Sequence, residues 1–166
     1  MDESKTEADD KAQIQKTVLG FLASLGVART LPENCETADC YSDLIRGLLK
    51  VQSISPGRVS CSFPVKRRVV NFYNGLHGGA VAAIAERVAM ASARTLVSEE
   101  KPLFLGELST SYLSSAPIDA ELVVDGSVVR SGRNLTVVSV EFKLKDSGKL
   151  AYTAHATFFN AVPSKL

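Results

Sequence analysis

The sequence predicts an α+β fold, a curved antiparallel β-sheet wrapped around one long central helix, with extra helices at the N-terminus. Three observations point there. Apolar spacing is helical up to about residue 48 and turns to alternation at residue 49. One long apolar helix, dense in alanine, then interrupts the strands. Four more strand-like stretches follow it.

The elements follow in order. Residues 1–11 are acidic and polar and read as a disordered lead-in. From Lys11 to Leu25, Ile14, Val18, Phe21, Leu22 and Leu25 recur at helical spacing, and Gly26 is a stop. Residues 29–38 read as a loop, and a second short helix is expected from about Asp39 to Leu48. Residues 49–54 read as a strand, Pro56-Gly57 as a turn, and Val59, Cys61, Phe63 and Val65 as the alternating face of the next strand. Residues 66–77 are irregular. The central helix runs from Gly78 to about Val97, with alanine at 80, 82, 83, 85, 89, 91 and 93. Small side chains let neighbouring elements approach closely. Strands are expected near 103–114, 119–131, 134–145 and 149–161, with reversals at Ser131-Gly132-Arg133-Asn134 and Asp146-Ser147-Gly148. A helix apolar over most of its circumference must be buried on most sides, and a wrapping sheet does that. With no repeat or linker, residues 1–48 are the tail and helices of the same domain as residues 49–166.

Composition excludes several classes. The chain has 166 residues, 45% apolar and 22% charged, which is enough for one real core and unlike a disordered chain. A formal net charge of +1 provides no global field for nucleic acid, so any anion must be held by a local cluster. Cys35, Cys40 and Cys61 match no metal spacing, and neither histidine lies near them, so no metal is expected. No window is apolar enough to span a membrane, and the N-terminus lacks a secretory signal. The chain ends in Ser164-Lys165-Leu166, the address read by the peroxisomal import receptor, so a peroxisomal location is expected.

The segment from Asn71 to Glu86 carries the chemistry. Gly78 and Gly79 open the long helix, leaving its first N–H groups uncovered where the helix dipole places partial positive charge. Such a place can polarise a carbonyl oxygen, although two glycines also suit a plain loop-to-helix transition. Glu86 shares a helix face with Ala82, Ala83, Ala89 and Met90. A carboxylate on an apolar stripe is costly unless it is paired or open to a cleft, and it is a candidate base. The bland alternative is a solvent edge beside Arg87.

This segment resembles the signature of hotdog-fold thioesterases of the phenylacetate-pathway type, which include small acyl-CoA thioesterases and the hydroxybenzoyl-CoA and dihydroxynaphthoyl-CoA enzymes. Asn71, His77, Gly78, Gly79 and Glu86 match their motif, and the resemblance covers roughly residues 49–160. It implies hydrolysis of an acyl-CoA in which coenzyme A is part of the substrate and no cofactor is needed. The Gly78 N–H would polarise the thioester carbonyl. Glu86 of a neighbouring subunit would act as general base or as nucleophile. His77 would orient the loop or the thioester, and Asn71 would position water or the loop. The turn formed by Arg130, Ser131, Gly132, Arg133 and Asn134 would bind coenzyme A, with Lys66-Arg67-Arg68 as a second candidate. His155 reads as structural. Where small members carry a serine at the start of the strand after the helix, this chain has Leu105, with Ser109 or Thr110 as substitutes.

The resemblance favours a medium or long fatty acyl group, followed by an aromatic acyl group. It also implies a homodimer at least, and a homotetramer as the expectation. Two other classes remain: a dehydratase or hydratase of the same fold, and a non-catalytic acyl-CoA binder. A carboxylate on an apolar stripe disfavours the binder, because an inert core would hold an apolar residue there. The N-terminal helices are expected to cover the acyl tunnel.

Overall fold

Strands form where apolar residues alternate, and helix forms where they recur every three or four. The computed structural model describes residues 13, 15–23 and 39–160. The chain divides into two units, Met1–Cys40 and Tyr41–Leu166. In the first, residues 15–23 are helical (α1), within the predicted span 11–25. The order is then α2 (Cys40–Leu48), β1 (Lys50–Ser55), β2 (Arg58–Pro64), a 3₁₀ turn (Arg67–Val69), α3 (Gly78–Arg94), β3 (Phe104–Tyr112), β4 (Glu121–Ser131), β5 (Leu135–Leu144) and β6 (Leu150–Phe159). The lead-in at residues 1–11, Cys35 and the terminal Ser164-Lys165-Leu166 lie outside the described residues.

The six strands form one antiparallel sheet in the order β1-β2-β4-β5-β6-β3. The period of two puts Val59, Cys61 and Phe63 of β2, Leu122 and Val124 of β4, and Val138, Val140 and Phe142 of β5 on the face that meets α3, all buried. The helix answers with Val81, Ile84, Ala85, Val88 and Ala89, each with no exposed surface. Phe63, Phe142 and Phe158 are the largest fully buried side chains, each contributing roughly 1.5–3 kcal/mol of transfer free energy. α2 adds to this core through buried Ile45, with Leu44 and Leu48 packed beside it. No helix among the described residues is long and apolar enough to cross a membrane.

Helix α3 stops three residues before the predicted Val97. Thr95 Oγ1 donates to the Ser92 carbonyl at 2.7 Å and accepts the Gly57 N–H at 2.7 Å, so the β1–β2 turn ties off the helix end. The helix crosses β4 at Gly126. A Cβ there would collide with Ser92 Oγ and come within 2.9 Å of Val88 Cγ1 and 3.2 Å of the Val88 carbonyl. Backbone cannot yield as a side chain can, so Gly126→Ala is expected to lower stability by about 1–3 kcal/mol, read as a lower denaturant midpoint at unchanged slope.

Candidate active site

The loop before α3 is shaped by Asn71. Its Oδ1 accepts the N–H groups of Tyr73 at 2.9 Å and Gly75 at 3.1 Å. Its backbone N–H donates to the Gly75 carbonyl at 2.8 Å, closing a tight turn in which Asn74 takes a left-handed backbone, φ 58°. Short polar side chains tolerate that conformation. The loop is tied to its surroundings where it enters the helix: Leu76 N–H donates to the Ala116 carbonyl and His77 N–H to the Val69 carbonyl, each at 2.8 Å. Asn71 therefore holds the shape of this loop.

His77 is the N-cap of α3. Its Nδ1 accepts the Gly79 N–H at 3.0 Å, and its carbonyl accepts the Val81 N–H at 3.1 Å. An Nδ1 that accepts leaves Nε2 to carry the proton in the neutral ring. The exposed imidazole thus offers a donor outward. Gly78, between cap and helix, is the first helical residue. No group among the described residues accepts its N–H, so that N–H remains open at the positive end of the helix dipole.

Tyr112, at the end of β3, closes over this glycine. Its hydroxyl donates to the Gly78 carbonyl at 3.1 Å, and a Cβ on Gly78 would meet it at 3.3 Å. Tyr112 stacks edge-on against Tyr152, whose hydroxyl accepts the Ala116 N–H at 2.8 Å. Burial pushes the Tyr152 hydroxyl above its ordinary pKa, so it stays a neutral phenol. Tyr41 of α2 lines a hollow of about 230 Å³ with Leu44, Arg68, His77, Gly79 and Ala80, and burial raises its pKa too. Neither Tyr112 nor Tyr41 stands out in the sequence, because only the folded topology returns the end of β3 and the start of α2 to the helix opening.

Glu86 is half-buried on α3, and its carboxylate has no hydrogen bond or ion pair to any described residue. Arg87 does not pair with it: its guanidinium donates to Ser42 Oγ at 3.2 Å. Eight residues separate Glu86 from Gly78, about 12 Å along the helix axis and about 80° around it. One chain therefore cannot present both groups to a single carbonyl.

The arginine turn lies elsewhere. Tyr152 of β6 pairs with Tyr112 beside the helix opening, and Phe159 pairs with Leu135 beside the turn; seven residues at the strand rise put them about 23 Å apart. Arg130, Ser131, Gly132, Arg133 and Asn134 are all exposed there. Asn160 holds the turn, donating from Nδ2 to the Gly132 carbonyl at 3.0 Å and from its N–H to the Asn134 carbonyl at 2.9 Å. Among the β3 candidates, Leu105 packs against the core. Ser109 pairs with exposed His155 on the outer face, while half-buried Thr110 pairs with buried Ala154 on the helix face. Among the described residues no three His, Cys, Asp or Glu side chains gather as metal ligands.

A family model described as the thioesterase superfamily matches residues 73–151, from the Asn71 loop through α3 to the start of β6. Over this segment, just under half of its length, the chain is similar to the thioesterase superfamily. It is 28% identical to human acyl-coenzyme A thioesterase 13 over 108 residues, 64% of this chain and 75% of that protein. Among solved structures, zebrafish thioesterase superfamily member 2 superposes with a TM-score of 0.68 at 22% identity, over 88% of this chain and 97% of that one. A Streptococcus pneumoniae hypothetical thioesterase solved with coenzyme A gives a TM-score of 0.64 at 21% identity, over 72% and 91% of the two chains. These superpositions show the hotdog fold.

Proposed function

We propose that this chain is a thioesterase of that superfamily and hydrolyses acyl-coenzyme A thioesters to free acid and coenzyme A, in sites built by two copies of the chain. The observation that carries this is the pairing of an open Gly78 N–H with a half-buried Glu86 that has no partner of its own. The first stabilises charge on a thioester oxygen, and the second serves as base on water or as nucleophile. The names of the human relative and of the coenzyme A-bound pneumococcal protein support the substrate.

A second copy supplies what the 12 Å separation denies. Strand β3 is an edge of the sheet, with Phe104, Tyr112 and Leu113 about half exposed. Tyr112 touches Gly78, so a chain paired along β3 lies beside the helix opening. A two-fold interface is self-complementary and makes two equal sites, each with Gly78 from one chain and Glu86 from the other. His77 orients the thioester through Nε2–H, and Thr110 is the β3 hydroxyl on the helix face that can assist the water. A homotetramer of two such dimers, a medium or long fatty acyl substrate and a peroxisomal address at Ser164-Lys165-Leu166 complete the reading. The test is free-thiol release from a panel of acyl-CoAs, acetyl to palmitoyl with benzoyl and hydroxynaphthoyl thioesters. Fastest turnover on the longer fatty acyl thioesters supports the reading. Turnover confined to the aromatic ones moves it to an aromatic acyl group, and no turnover on any member defeats it.

A further inference from the structure

The two basic segments of the chain differ in where they stand. The turn at 130–134 is about 23 Å from the helix opening of its own chain. The 3₁₀ turn Arg67–Val69 is joined to it directly: the Val69 carbonyl accepts the His77 N–H at 2.8 Å, and Val70 bridges to Leu76. Buried Val69 anchors this turn and leaves Arg67 and Arg68 exposed.

Two hollows meet at Arg68. One is the 230 Å³ hollow at His77 and Gly79, whose other walls are Tyr41 and the apolar Leu44, Val69, Val70 and Ala80. The second, of about 570 Å³, is lined by Leu48, Lys66, Arg67, Arg68, Ile118 and Asp119. Lys66 faces Asp119 at 3.5 Å, so these two charges largely offset one another. Arg67 and Arg68 have no carboxylate partner among the described residues. A narrow, mostly apolar hollow thus leads from the helix opening to a wider one with two uncompensated guanidinium groups. Guanidinium is the side chain best matched to phosphate, through two parallel N–H donors.

We propose that Arg67 and Arg68 bind the phosphate groups of coenzyme A, with the phosphate-free arm of the substrate crossing the smaller hollow to the Gly78 N–H. This rests on the acyl-CoA reading above and assigns the anionic end of the substrate to the chain that supplies Gly78. The arginine turn at 130–134 then lies outside the phosphate site of its own chain.

The test is equilibrium binding of coenzyme A and of phosphate-free pantetheine to the full chain and to the Arg67→Gln/Arg68→Gln double variant. Both side chains are exposed, so the swap spares the fold. Coenzyme A binding is expected to weaken about tenfold or more, with a shallower salt dependence, while pantetheine binding stays unchanged. Undiminished coenzyme A binding, or equal loss for both ligands, overturns the proposal. A dicarboxylic acyl-pantetheine, hydrolysed by wild type and spoiled by the double variant, would assign the arginines to an acyl carboxylate and overturn it too. A wild-type protein inert on every thioester, yet showing the selective loss for coenzyme A, refutes hydrolysis and supports the phosphate site.

Discussion

Glu86→Gln is expected to lose about 10²-fold or more in kcat while folding and assembling as wild type does. The amide keeps the shape of the side chain but can neither take a proton from water nor attack a carbonyl. The Glu86 carboxylate has no hydrogen bond or ion pair to any described residue, so the exchange should move stability by no more than about 0.5 kcal/mol. That separation is informative. A structural carboxylate would show the reverse, with a drop in denaturant midpoint and activity falling only with the folded fraction. Steady-state kinetics on the preferred acyl-CoA, beside a urea titration of both proteins, distinguish the two.

Gly78→Pro should be similarly damaging for a different reason. Gly78 is the first residue of α3, the helical position where proline is best tolerated. Its N–H has no acceptor among the described residues, so proline removes no hydrogen bond within the fold. His77, which precedes it, already sits at φ −64° and ψ 132°, the extended region that proline demands of its neighbour. The added Cβ would lie 3.3 Å from the Tyr112 hydroxyl, a side chain 56% exposed that can swing by a few tenths of an ångström. What disappears is the donor aimed at the substrate. Loss of one such donor costs about 10²–10³-fold in kcat, and that is the expected reading with the helical circular dichroism unchanged. Activity near wild type would mean that the oxyanion is held elsewhere.

Much of this site is legible before folding, because helix starts and apolar stripes are local. The glycine pair and the odd carboxylate on the alanine-rich face follow from spacings within one helix, whereas the cap position of His77 shows only in the structure. The strands also appear within a residue or two of the expected ends, since alternation at Val59–Phe63 and Val138–Phe142 is a local property. Long-range placement is another matter. Nothing near Thr95 announces that its hydroxyl will meet Gly57 and end α3 early, while Leu96 and Val97 continue the apolar run. Tyr112 touches Gly78 only because β3 pairs with β6 and ends beside the helix opening. The same long-range pairing carries Arg130 and Arg133 away from that opening and leaves Arg68 on its rim.

Each proposed site takes its donor from one chain and its carboxylate from another. Co-expression of Glu86→Gln with Gly78→Pro, each inactive alone, tests this sharing most directly. Random pairing makes about half the dimers mixed, and each mixed dimer has one site with both defects and one with neither. About a quarter of wild-type activity should therefore return. If the co-expressed pair forms mixed dimers yet stays as inactive as either parent, the donor and the carboxylate do not meet across the interface, and the shared-site account is wrong.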